Sequence, residues 1–144
     1  MSYPLRTLED YELFLYTLSE RFNCIRHSTV TLVRRGASLA RMSGEIHFDK
    51  EFRLVLVERI VADRLPATIE AYGYEIWRRQ EKLCWYDCQP HPADPTLTLT
   101  HPHHKHIPPD IKNHRVPAPE MSFMRPNLPS LITEIERLLA AEAG

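Results

Sequence analysis

Ten of the twelve prolines lie between residues 90 and 129; residues 1–89 hold two and the last fifteen residues hold none. Proline fixes φ and has no N–H to donate, so helices and central strands are expected only outside that window. The chain then reads as one domain over 1–144, of a size that buries a real core without staples. Its expected parts are a helical segment (1–23), a β-meander (24–89), a Pro/His-rich loop (90–127) and a C-terminal helix (128–142).

The hydrophobic period supports this division. In TLEDYELFLYTLSERF, Leu8, Tyr11, Leu15, Leu18 and Phe22 recur at helical spacing with Phe14 beside them, and Thr7 suits the N-cap. This predicts a helix of about four turns. From Cys24 the period becomes two. Met42, Gly44, Ile46 and Phe48 alternate with polar residues, and Phe52, Leu54, Leu56 and Ile60 share another strand face. About five strands with short turns predict an antiparallel meander, and a helix packed on one face makes the class α+β. In NLPSLITEIERLLAAEAG, Leu128, Leu131, Ile135, Leu138 and Leu139 form the apolar side of the last helix, with Pro129 in its first turn.

Eighteen basic against nineteen acidic side chains give a net charge of −1, so any polyanion site must be a local patch. MSYPLRTLEDYELF has no apolar signal core, and no apolar run is long enough to span a membrane. Cys24, Cys84 and Cys88 are an odd number, and the last two would sit roughly 13 Å apart on one strand, too far for a disulfide. Reduced thiols in a cytoplasmic protein are expected.

Six of the eight histidines, His91, His101, His103, His104, His106 and His114, fall in the proline-rich segment. If 101–106 is extended, His101 and His103 point one way, and His104 and His106 the other. Each i, i+2 pair can share one zinc, with a third ligand to come from Asp87, His91, Asp94 or Asp110. No HExxH, CxxC or aspartate cluster accompanies them. Without metal, imidazoles can take a proton from a ribose 2′-hydroxyl and return one to the leaving oxygen. Lys105, Arg78, Arg79 or Arg115 would stabilise the phosphorane. Tyr72 and Tyr74 share a strand face with Arg78 and offer stacking surfaces for single-stranded nucleic acid, although core packing is the preferred reading of tyrosines in a strand.

The paired segments WYDCQPHPADP and HPHHKH resemble the signature of the TumE-like toxin family, in which R-x-D-N-x-P-H-H-P is followed after a short gap by P-H-H-K-H. The flanking plan is similar too, with an aromatic strand before the motif and a proline-introduced helix after it. The resemblance implies roles for Asp87, Pro90, His91, Pro92, Pro102, His103, His104, Lys105 and His106. It also implies the toxin half of a two-component module, with a DNA-binding antitoxin as partner. The chain departs from the pattern at Cys88, where asparagine is usual, at Pro92, which follows His91 directly, and in the longer LTLT-containing gap.

These readings lead to a cytoplasmic toxin that acts as a metal-independent endoribonuclease, with RNA as substrate, no cofactor and no membrane contact. Its catalytic candidates are Asp87, His91, His103, His104 and His106; its nucleic-acid contacts are Lys105, Arg78, Arg79, Tyr72 and Tyr74. Two alternatives stand beside it. One is a nuclease or hydrolase using zinc or manganese on His101, His103, His104 and His106. The other is a non-enzymatic module that docks a protein. A homodimer is left open.

Overall fold

A computed structural model describes residues 3–143; Met1, Ser2 and Gly144, within the expected domain span, lie outside the described residues. Two short helices, α1 (Leu8–Tyr16) and α2 (Leu18–Arg21), precede six strands: β1 (His27–Ser28), β2 (Thr31–Arg35), β3 (Leu39–His47), β4 (Phe52–Val61), β5 (Thr68–Arg78) and β6 (Glu81–Asp87). A 3-10 turn (Pro95–Thr100), β7 (His104–His106), β8 (Arg115–Pro117) and helix α3 (Leu128–Ala143) complete the chain. All eight strands join one antiparallel sheet in the order β1-β3-β4-β5-β6-β7-β8, with β2 also paired to β3. The class is α+β, as expected.

Three differences from the sequence reading have local causes. The N-terminal helix breaks at Thr17, whose hydroxyl donates to Leu13 O at 2.7 Å. Such back-bonding competes with the helical ladder. The stretch CIRHSTVTLVRRG, where the period of two begins, is not one strand but two, β1 and β2, which pair with opposite ends of β3. Gly44 of β3 lies under the split, with φ +144°; a Cβ there would meet Thr29 O and Val30 Cα at 2.7 Å. Most consequentially, residues 90–127 are not a loop throughout. The histidine tract enters the sheet as β7, between β6 and β8. Pro102, Pro108 and Pro109 lie just outside its three residues and remove no ladder donor, and Pro117 sits on β8, the edge strand.

Alternation gives the sheet two unlike faces. Leu54, Leu56, Ile60, Tyr74 and Ile76 are buried beneath the helices together with Tyr11, Leu15, Leu128, Leu131 and Ile135. Each such aliphatic side chain contributes roughly 1.5–3 kcal/mol on burial. The opposite face carries Val55, Val57, Gly73, Glu75 and Trp85, all partly exposed.

The helix side also encloses a carboxylate. Glu58 is fully buried, and its oxygens accept from Tyr11 Oη and, at 2.5 Å, from Tyr74 Oη. Asn127 Nδ2 donates in turn to Tyr74 Oη at 2.9 Å. Burial outweighs the two phenol hydrogen bonds and pushes the Glu58 carboxyl up to about 7. A raised carboxyl pKa stabilises the fold at low pH, and that contribution is lost as pH rises through 7. Between pH 4.5 and pH 8 the wild type is expected to lose on the order of 3 kcal/mol relative to Glu58→Gln. Urea denaturation of both proteins across that range checks this; parallel stability profiles contradict it.

Candidate active site

The site follows from strand register. Gly73 pairs with Asp87, Asp87 with His104, and His104 with Pro117; one step along, Glu75, Trp85, His106 and Arg115 are aligned across the same four strands. Cross-strand partners project to the same side of a sheet, so both rows lie on the face away from the helices. Asp87 and His104 are direct neighbours, and His106 reaches Asp87 on the diagonal. Gly73 adds no side chain to its row, and a cavity of about 760 Å³ opens there, lined by Val57, Gly73, Trp85, Asp87, Pro102 and Phe123.

At the centre, His104 Nε2 lies 3.2 Å from His106 Nε2 and 3.0 Å from Asp87 Oδ1, and His106 Nε2 is 3.5 Å from Asp87 Oδ2. His104 is 0% exposed, His106 3% and Asp87 9%. The far nitrogens fix the ring orientations. His104 Nδ1 lies 3.0 Å from Pro102 O, and His106 Nδ1 lies 3.1 Å from Lys112 O. A carbonyl oxygen only accepts, so both Nδ1 atoms carry hydrogen and donate. In the neutral rings both Nε2 atoms then present lone pairs to each other and to the carboxylate. Burial lowers the His106 pKa and His104 lowers it further, against an upward pull from Asp87. The backbone N–H of Gln89 donates to Asp87 Oδ1 at 2.8 Å.

Around this centre, Trp85 stacks on His106 with centroids 4.2 Å apart, and His91 stands edge-on to His104 at 4.9 Å. A second cleft of about 430 Å³ is lined by Trp85, Asp87, His91, His106, Lys112 and Arg115. The His91 pKa is lowered by partial desolvation, Arg115 and His104. Arg115 Nε is buried without a hydrogen-bond partner among the described residues.

Of the sequence candidates, the structure brings Asp87, His91, His104 and His106 together, with Arg115 lining the same cleft, and places the others elsewhere. His103 turns away from them; its Nδ1 is 2.6 Å from Tyr72 Oη, and its ring stacks on Tyr72 and leans on Phe123. His101 is exposed. Tyr74 is buried against Glu58, and Tyr72 stacks on it at 4.7 Å. Lys105 crosses to the helix side and bonds Glu134 at 2.8 Å. Arg78 pairs with Glu142 at 2.7 Å, and Arg79, in the β5–β6 turn, pairs with Glu51. Asp94 and Asp110 are occupied within their own turns, accepting from Thr96 N and from Asn113 Nδ2. Trp85 was not singled out in the sequence. Its signal was there: period two puts it on the Asp87 side of β6, opposite Tyr86.

A family model described as "Toxin TumE" matches residues 13–139, most of the chain. No curated protein and no solved structure matches.

In their neutral forms His104 and His106 are expected to be Nδ1–H tautomers. Long-range ¹H–¹⁵N correlation spectra of the metal-free protein distinguish the two tautomers; Nε2–H signals for both rings contradict the arrangement.

Proposed function

The chain belongs to the TumE toxin family, and we propose that it cleaves RNA at the centre formed by Asp87, His104 and His106. The observation behind this reading is the convergence of two lone-pair-bearing imidazoles and one carboxylate at a cleft that also holds a histidine and an arginine. RNA hydrolysis needs a group to take the 2′-hydroxyl proton, a group to return one to the leaving oxygen, and positive charge beside the pentavalent phosphorus. His91, at the rim of the cleft, is the base in this scheme. Arg115, one of the four cations the sequence offers for that role, is the phosphate contact rather than Lys105 or Arg78. Those two are engaged by Glu134 and Glu142 on the helix side. A proton on Nε2 of His104 or His106, held beside the Asp87 carboxylate, is the one returned to the leaving oxygen.

As a toxin, the chain implies a cognate antitoxin. We take that partner to be a DNA-binding protein encoded beside it, acting with it in the cytoplasm. Among the described residues no helix is long and apolar enough to cross a membrane.

Growth arrest on induced expression, together with cleavage of single-stranded RNA by the purified protein, tests the reading. His106→Ala and Asp87→Asn are each expected to lower cleavage by about 100-fold or more and to relieve arrest, while His27→Ala, on the distant β1 strand, leaves both unchanged. Full toxicity in a folded Asp87→Asn/His106→Ala double variant contradicts it.

A further inference from the structure

The three converging atoms present an electrostatic problem. The Asp87 carboxylate oxygens, His104 Nε2 and His106 Nε2 are all acceptors once both Nδ1–H groups are given to backbone carbonyls, yet the three groups approach one another at 3.0 Å (His104 Nε2 to Oδ1), 3.2 Å (between the two Nε2 atoms) and 3.5 Å (His106 Nε2 to Oδ2) in a buried setting. Buried acceptors facing one another without a donor are costly. A proton on either Nε2 would satisfy one of the three contacts. A divalent cation satisfies all three.

We propose that Asp87, His104 and His106 form a binding site for a divalent transition-metal ion of the zinc or manganese class. Zinc bound at roughly 2.0–2.1 Å by tetrahedral ligands sets those ligands about 3.3 Å apart, within the spread seen here. Ligating histidines usually donate their other ring N–H to a carbonyl or carboxylate, and Pro102 O and Lys112 O receive those hydrogens. The Gln89 N–H orients the carboxylate in the same way. Two imidazoles and a carboxylate suit zinc, manganese or iron rather than calcium or magnesium. Three protein ligands beside a cleft leave a coordination position open, the pattern of catalytic rather than structural sites. The sequence favoured chemistry without metal because no third ligand was evident; the β6–β7 register supplies Asp87, one of the four residues considered for that place.

The ion would lie beside the Trp85 and His106 stack and face His91 and Arg115 across the cleft. A phosphate oxygen entering there would meet positive charge on both sides. The ion-binding claim does not depend on RNA being the substrate: metal binding without cleavage sinks only the ribonuclease reading, and cleavage by demonstrably metal-free protein sinks only the ion.

The full-length protein, stripped with chelator and titrated with cobalt(II) as a spectroscopic stand-in for zinc, tests the proposal. One equivalent is expected to bind with a visible d–d absorption of low-coordinate geometry, displaced by zinc. Asp87→Asn and His106→Gln, checked for folding by circular dichroism, are expected to weaken cobalt binding by about 100-fold or more. His101→Ala/His114→Ala, which removes exposed surface histidines, should leave the signal intact. Absence of a saturable cobalt signal in the wild type overturns the proposal whether or not the variants fold. So does a signal that survives His106→Gln and vanishes in the surface double variant.

Discussion

Pairing of β6 with β7 is the constraint on which the candidate site depends. Three register pairs, Trp85 with His106, Tyr86 with Lys105 and Asp87 with His104, carry the histidine tract into the sheet. A slip of one residue would turn both imidazoles toward the helices and Lys105 toward the cleft. The register is held on both sides. β8 pairs with the far edge of β7, and Lys105 reaches Glu134 of α3, which also accepts from Tyr86 Oη at 2.5 Å. The Lys105–Glu134 pair is about a quarter exposed, so its share of stability is small, about 0–1 kcal/mol. Its effect is on alignment.

The two faces of the sheet use polar residues differently. On the helix side, carboxyl groups accept from phenols: Glu58 from Tyr11 and Tyr74, and Glu134 from Tyr86. Burial raises the pKa of each of these tyrosines further, so they stay neutral donors. The other face holds imidazole nitrogens and an aspartate with no phenol among the contacts of the centre. Alternation along β7 separates the roles within three residues: Lys105 fastens the strand to α3, while His104 and His106 are presented to the cleft.

Much of this was legible in the sequence because it depends on local periodicity. The change from a period near 3.6 to a period of two at Cys24 located the α+β division, and the stripe through Leu128, Leu131 and Ile135 located the last helix. The resemblance carried by Asp87, His91 and the HPHHKH tract anticipated the family, which the match over 13–139 shows. What could not be read was non-local. A three-residue strand has no periodic signature, so proline content dominates and marks the β7 residues as loop. Tyr72 and Tyr74 carry the same pattern whether they face solvent or core; only the helices above them decide it. His103 and His104 are adjacent in sequence, but the pleat sends one to Tyr72 and the other to Asp87. The four histidines between 101 and 106 therefore do three things: His101 meets solvent, His103 packs against the aromatic cluster, and His104 and His106 meet the carboxylate.

The central claim is that strand pairing creates one cation-binding centre from Asp87, His104 and His106. An anomalous difference map at the zinc absorption edge, from crystals of the full chain grown with zinc, tests it most directly. The account predicts a single strong peak within bonding distance of Asp87 Oδ1, His104 Nε2 and His106 Nε2. A zinc peak at surface histidines alone, with these three atoms unligated, would contradict it.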